Sequence, residues 1–317
     1  MDYVFVIAGL VVLLVGGEAL VRGAVGVAGR LGVSPLLIGL VVVGFGTSAP
    51  ELTTSVSASL AGSPGVAVGN VVGSNIANVL LILGAAALMS PVVVEPRAFR
   101  RDGPALAAAM LIAAGALAFA PMVRLTGAIL VGLLLAYILA SYLIDRAMRD
   151  AAAKLHEAEA ESVTPPDGAA SALFLGLGIA GVVGGAWLLV TGAVAIAGAL
   201  GVPETVIGLS IVAVGTSLPE LAASLVAARR GHGDLAFGNI VGSNIFNGLG
   251  ILGSAALVAP FETPPRVLGP DLWVMLGASG LLIAFALTGQ RVSRMEGGVL
   301  LALYAGYIAS LAWTPAG

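Results

Sequence analysis

The sequence predicts an all-α membrane protein of ten transmembrane helices, built as two inverted five-helix repeats with broken helices where the halves meet. Three observations carry this. First, 59% of the 317 residues are hydrophobic and only 10% charged, against roughly 25% charged in an ordinary soluble domain. The apolar residues fall in runs of bilayer-spanning length, about 18 to 25 residues. Second, the chain repeats itself: Thr47 and Thr216 lie 169 positions apart, and so do Glu51 and Glu220. The segment VGNVVGSNIANVLLILG (68–84) matches FGNIVGSNIFNGLGILG (237–253) at twelve of seventeen positions at the same offset. Third, each repeat holds an odd number of spans, so the second copy enters the membrane with opposite orientation. Inverted repeats place their shared site near the bilayer midplane.

In chain order the spans are expected at 3–27, 34–61, 66–89, 103–120, 124–146, 171–196, 204–228, 234–259, 270–288 and 295–313, separated by Gly-Pro, Pro-Pro and charged clusters. The first repeat is taken as 1–146, a cytoplasmic linker as 147–170 and the second repeat as 171–317. The connector Arg146 to Ala170 is Ala-rich and acidic, ends in Pro165-Pro166, and is too short for a folded domain of its own. The first span opens at Asp2 without a basic leader and is read as a retained helix. Eleven of the basic residues fall in or beside odd-numbered loops and two, Arg124 and Arg266, beside even ones. The positive-inside rule then places the odd loops in the cytoplasm and both termini outside.

Composition also excludes. With no cysteine, disulfides and thiolate metal sites are ruled out. A net charge of −3 gives nucleic acid no electrostatic footprint.

The chemistry gathers in GTSAPEL (46–52) and GTSLPEL (215–221). Each sets a carboxylate, Glu51 or Glu220, into an apolar run beside two hydroxyls and a proline. Proline removes one amide donor and crowds the carbonyl four residues back. Backbone acceptors near Gly44 to Thr47 and Ala213 to Thr216 are therefore expected to lose helical partners, which hydrocarbon tolerates only where they line a cavity. Carboxylate, hydroxyl and carbonyl oxygens form the ligand set of a hard cation such as Ca²⁺ or Na⁺. Intramembrane acids are functional by default.

The third and eighth spans supply Asn70, Ser74 and Asn78, and Asn239, Ser243 and Asn247, each set spaced by four on one helix face. Such residues also serve as interhelical hydrogen-bond glue. That reading is taken for Asn70, Asn75, Asn239 and Asn244, and the ion-site reading for Ser74, Asn78, Ser243 and Asn247. Glu18, followed by Arg22 at i+4, is read as a local ion pair anchoring or gating the first span.

On these residues the chain resembles the cation/calcium exchanger superfamily, and most of all its prokaryotic sodium/calcium exchangers. GTSAPEL with GSNIAN in one half and GTSLPEL with GSNIFN in the other carry the likeness, which covers nearly the whole chain. The resemblance implies four cation positions between the repeats, so the broken helices would sit at the ion site. Glu51 and Glu220 would be the central ligands, shared by Ca²⁺ and Na⁺. Thr47, Ser48 and Ser74 with the Gly44 carbonyl would serve an inner Na⁺ position. Thr216, Ser217 and Ser243 with the Ala213 carbonyl would serve an outer one. The Thr47 and Thr216 carbonyls would help bind Ca²⁺, and Asn78 and Asn247 would flank the middle position. The first and sixth spans would slide as a gating bundle, on a face smoothed by Gly16, Gly17, Gly23, Gly26, Gly184, Gly185 and Gly192. Potassium-dependent members use an acid where Asn247 stands here, so K⁺ co-transport is not expected.

The expectation is thus a monomeric Na⁺/Ca²⁺ antiporter of the prokaryotic cell membrane, without enzymatic activity or cofactor, and electrogenic at the family's stoichiometry. The alternative is a proton/calcium antiporter whose two glutamates carry H⁺. An intramembrane hydrolase would need a general base near Ser48 or Ser217, yet His156 and His232 both fall in predicted loops. Flux without counter-transport would mark a channel.

Overall fold

The structure, a computed structural model, describes residues 2–31, 33, 35–156, 168–200, 213–263 and 267–313. They are almost wholly helical. Among the described residues, seven helices are long and apolar enough to cross a membrane: 2–31, 64–89, 99–119, 124–144, 168–196, 233–258 and 270–289. This is a multi-pass membrane protein. The start of the expected seventh span, 204–212, lies outside the described residues.

Helix α1 (Asp2–Leu31) leads into a segmented second element. Here α2 (Pro35–Ile38), a π-helical turn (Gly39–Val43) and α3 (Gly44–Thr47) run in series, then break at Ser48 before α4 (Ala49–Leu60). Next come α5 (Pro64–Ala77), a second π-helical stretch (Asn78–Leu83) and α6 (Gly84–Met89). Helices α7 (Pro96–Phe119) and α8 (Arg124–His156) complete the first half. Helix α8 outruns the expected boundary at 146 by almost three turns, so the first part of the linker extends this helix.

The second half opens with α9 (Gly168–Ala199). Then α10 (Ala213–Thr216) breaks at Ser217 before α11 (Leu218–Arg229). Helix α12 (Gly233–Ile245), a π-helical stretch (Phe246–Ile251) and α13 (Leu252–Val258) follow. Helices α14 (Pro270–Gly289) and α15 (Arg294–Trp313) end the chain. Helix α15 starts from a capping box: the Ser293 amide and hydroxyl both donate to Glu296 Oε2 at 2.7 Å, and Ser293 Oγ accepts from the Glu296 amide at 3.3 Å.

Two apolar clusters form the interior. The larger joins α5 to α8 with α12 to α14; the smaller joins α1, α2, α9 and α11. Helices α1 and α9 pack along nearly their whole lengths. A methyl at Gly9, Gly16 or Gly23 would meet the backbone of Leu189, Gly181 or Leu175 at 2.2–2.7 Å. Gly185 and Gly192 are pressed against α1 in the same way. The glycines expected on a sliding face therefore mostly weld this pair together; Gly17 faces Val226 and Ala222 of α11. Glycine is favoured here because only its lack of a Cβ lets two backbones approach this closely.

Short pairings pin the halves to each other. Strand β1 (Val92–Val93) runs antiparallel to β2 (Arg291–Val292), in register Val92 with Val292. Arg294 Nη2 donates to the Met89 carbonyl at 3.2 Å. Elsewhere Met122 bridges Phe261, and Arg124 Nε donates to the Leu257 carbonyl at 3.2 Å. Each arginine meets a carbonyl in the last turn of a helix, where the macrodipole favours a cation.

Candidate ion-binding site

The site grows from two helix breaks. Ser48 has ψ near 11° and Ser217 ψ near 5°, both outside helical geometry. Pro50 and Pro219 follow in the first turns of α4 and α11, where a missing amide costs nothing. Glu51 and Glu220 then fall in the first turn of a half-helix, at the end where the dipole favours negative charge. The backbone is less depleted than expected at the first break, because the Ser48 amide still donates to the Gly44 carbonyl at 3.1 Å. At the second, the Ser217 amide turns to the Val214 carbonyl, also at 3.1 Å.

Ser48 and Ser217 occupy N-cap positions, yet neither hydroxyl caps its own helix. Each crosses to the other half instead. Ser48 Oγ donates to Glu220 Oε1 at 2.7 Å, and Ser217 Oγ donates to Glu51 Oε1 at 3.2 Å. Both glutamates are 1% exposed. The second oxygen of each, Oε2, is buried without a hydrogen-bond partner among the described residues.

Ser243 Oγ lies 3.1 Å from Ser48 Oγ and 3.3 Å from the Gly44 carbonyl. Thr47 Oγ1 lies 3.0 Å from the Val43 carbonyl, 3.3 Å from that of Gly44 and 3.3 Å from Asn239 Oδ1. The place expected for Ser74 beside Gly44 and Ser48 is thus held by Ser243. The halves dock crosswise, so the first break faces α12 rather than the helix that follows it in sequence. Ser74 is buried on α5, which packs against α10, where Ala213 and the half-buried Thr216 stand. Asn78 Nδ2 donates to Asn244 Oδ1 at 3.0 Å. Asn78 Oδ1 and both polar atoms of Asn247 are buried without partners among the described residues.

The glue residues also act as clamps. Asn70 Nδ2 donates to the Glu51 carbonyl at 3.1 Å and to Ser55 Oγ at 2.9 Å. Asn239 Nδ2 repeats this with the Glu220 carbonyl at 3.3 Å and Ser224 Oγ at 2.9 Å. Each amide thereby fixes the backbone that carries a glutamate. Asn75 Nδ2 meets the sulfurs of Met110 and Met275 at 3.6 and 3.7 Å.

Sequence reasoning missed Ser55 and Ser224, which the 169-residue offset relates. It also missed two Tyr–Asp contacts, Tyr137 Oη to Asp102 Oδ1 at 3.1 Å and Tyr307 Oη to Asp271 Oδ1 at 3.2 Å. Asp102 and Asp271 are again 169 apart, a signal that was legible. Asp102 is charge-paired as well, with Arg101 Nε 2.6 Å from its Oδ1.

Two carboxylates, hydroxyls, a backbone carbonyl and unsatisfied amide oxygens, all buried, make a hard-cation donor set. The family whose description is "Sodium/calcium exchanger protein" matches this chain over residues 1–143 and 170–313. The chain belongs to the sodium/calcium exchanger family. Among its relatives is the sodium/calcium exchanger MaX1 of Methanosarcina acetivorans, 35% identical over 343 residues, spanning 98% of each chain. The inner membrane protein YrbG of Escherichia coli is 37% identical over 309 residues, covering 96% of this chain and 94% of its own. A solved structure of the sodium-calcium exchanger NCX_Mj, soaked with Na⁺ and Ca²⁺, superposes with a TM-score of 0.84 at 32% identity over 98% of both chains. The glutamates and cross-paired serines of this family member lie in the two segments that first suggested the resemblance.

Proposed function

We propose that this chain is a secondary active antiporter that exchanges Na⁺ for Ca²⁺ by alternating access. The observation that carries the reading is the unmet demand at the site. Glu51 Oε2, Glu220 Oε2, Asn78 Oδ1 and Asn247 Oδ1 are buried acceptors with no donor among the described residues. A buried, uncompensated carboxylate costs several kcal/mol, and a bound cation removes that cost. The names of MaX1 and NCX_Mj as sodium/calcium exchangers support the same choice of ions.

The architecture in this reading is ten spans in two inverted repeats, 1–146 and 171–317, joined by a cytoplasmic linker at 147–170. Both termini face outward, and the chain works as a monomer. The crosswise hydrogen bonds and the recurring clamps on Glu51 and Glu220 support it, since related contacts repeat at one offset.

Glu51 and Glu220 ligate Ca²⁺ together, helped by the Thr47 and Thr216 carbonyls. One Na⁺ position comprises Glu220, Thr47, Ser48, Ser243 and the Gly44 carbonyl. The other comprises Glu51, Thr216, Ser217, Ser74 and the Ala213 carbonyl. Asn78 and Asn247 flank the middle. Two carboxylates balance one Ca²⁺; three Na⁺ leave one positive charge in excess, so exchange is electrogenic. Both ions need the same glutamates, so they compete and never occupy the site together. The emptied site leaves two unpaired acids, which blocks return of the empty carrier. With Asn at 247 there is no third acid, and transport is independent of K⁺.

The test is ⁴⁵Ca²⁺ uptake into proteoliposomes under an imposed Na⁺, K⁺ or H⁺ gradient. The Na⁺ gradient should drive uptake and the K⁺ gradient should not. Uptake driven by a pH gradient but not by Na⁺ would replace this reading with proton/calcium antiport.

A further inference from the structure

The ion site leaves one intramembrane acid unused. Glu18 of α1 does not pair with Arg22, as its i+4 spacing suggests. It pairs with Arg230, at the C-terminal cap of α11. Arg22 lies over the Phe174 ring of α9 instead, 4.6 Å from the centroid. Beside the pair, a Cβ on Gly17 would stand 3.1 Å from Val226 Cγ2 and 3.4 Å from the Ala222 carbonyl oxygen. Ala222, Val226 and Arg230 follow at i, i+4 and i+8, so α1 lies along one face of α11, toward the turn that leads to α12.

The 169-residue offset supplies an internal control. It sends Glu18 to Trp187, Arg230 to Ala61, Ala222 to Thr53 and Val226 to Ser57. No ion pair can form between Trp187 and Ala61. Trp187 is 65% exposed, and Thr53 and Ser57 are exposed where Ala222 and Val226 are partly covered. Among the described residues α9 has no packing on α4 to match that of α1 on α11. The two sides of the site are therefore unequal. Helix α1 packs on α11 near the turn at 230–232, and among the described residues α9 makes no comparable contact with α4.

We propose that the Glu18–Arg230 ion pair is a one-sided latch that holds the α1–α9 pair onto α11 and biases the carrier toward the state open beside α4. This rests on the alternating-access reading above. A contact made in one arrangement and absent from the other shifts the equilibrium between them. The glycine-welded α1–α9 pair makes the bias act on both helices, because displacing α1 displaces α9. Since the repeat itself cannot supply the contact on the other side, the latch breaks the symmetry between the two access states.

The chain has no cysteine, so a single introduced thiol reports access cleanly. Ser57→Cys places one on α4. The rate of its labelling by a membrane-impermeant maleimide is measured in proteoliposomes, along with ⁴⁵Ca²⁺ exchange, for the parent and for Glu18→Gln, Arg230→Gln, the two neutral changes combined, and the swap Glu18→Arg with Arg230→Glu. Each single variant should slow labelling about two- to five-fold, the range for a partly exposed ion pair. The double neutral variant should be no slower than either single one, and the swap should restore the parent rate. Unchanged labelling in the single variants, with exchange intact in the parent, overturns the latch alone; so do additive losses in the double variant. A parent that exchanges no Ca²⁺ under any cation gradient overturns the antiport reading and the latch with it.

Discussion

Ser48 Oγ donates a 2.7 Å hydrogen bond to Glu220 Oε1, a carboxylate 172 positions away on the other half of the chain. Ser217 returns the arrangement to Glu51 at 3.2 Å. Both serines are N-caps that forgo their own helices. Neither half therefore contains a complete site. The carboxylates are buried at 1% exposure, where each hydrogen bond to a charged group counts for more than it would at a surface.

Ser48→Ala removes the shorter of these bonds. The expected loss is about 1.5–3 kcal/mol, or roughly a 10- to 100-fold rise in the Ca²⁺ concentration for half-maximal ⁴⁵Ca²⁺ uptake. Ser217→Ala, at the longer contact, should cost less. Equal uptake curves for Ser48→Ala and the parent would remove Ser48 from the site.

Asn70→Ala and Asn239→Ala each release the backbone of a glutamate and leave Ser55 or Ser224 without its amide donor. Interhelical hydrogen bonds in membranes are modest, so the expected destabilisation is about 1 kcal/mol. A lowered unfolding temperature in detergent, with weakened Ca²⁺ binding, is the expected result. Weakened binding should track the loss of the clamp at either glutamate.

Gly16→Leu forces a side chain into the α9 backbone, where even a Cβ would lie 2.7 Å from the Gly181 carbonyl carbon. Helices α1 and α9 must then separate. Exchange should fall to background while the monodisperse peak on size exclusion persists, because the larger core of α5 to α8 and α12 to α14 does not include this contact.

Asn247→Asp places a third acid at a buried position whose amide has no partner among the described residues. The variant should acquire K⁺-stimulated Ca²⁺ uptake, or uptake that falls as the pH is lowered through the range where the new carboxyl takes up a proton. A variant with unaltered selectivity and pH profile would take Asn247 out of the site.

The two breaks were legible because Pro50 and Pro219 mark them and the offset of 169 repeats them. The crosswise pairing of Ser48 with Glu220 was not, since it depends on how the halves dock. The same docking gave Ser243, not Ser74, its place beside Gly44. The π-helical stretches after Ala77 and Ile245 carry no composition mark, because a shift in hydrogen-bond register changes no residue type. Glu18 misled for a related reason: its local partner Arg22 was visible in sequence, while Arg230 arrives only with the tertiary fold. The glycines of α1 and α9 were visible, but the surface they face was not.

The central claim is that Glu51 and Glu220, one from each half, jointly hold a single Ca²⁺. Equilibrium Ca²⁺ binding to the purified protein by calorimetry, with and without Na⁺, tests it most directly. The parent should bind one Ca²⁺ per chain at this site and release it as Na⁺ rises, and Glu51→Gln and Glu220→Gln should each abolish the binding while the helical circular dichroism stays unchanged. Either variant binding Ca²⁺ with the parent's affinity would contradict the account.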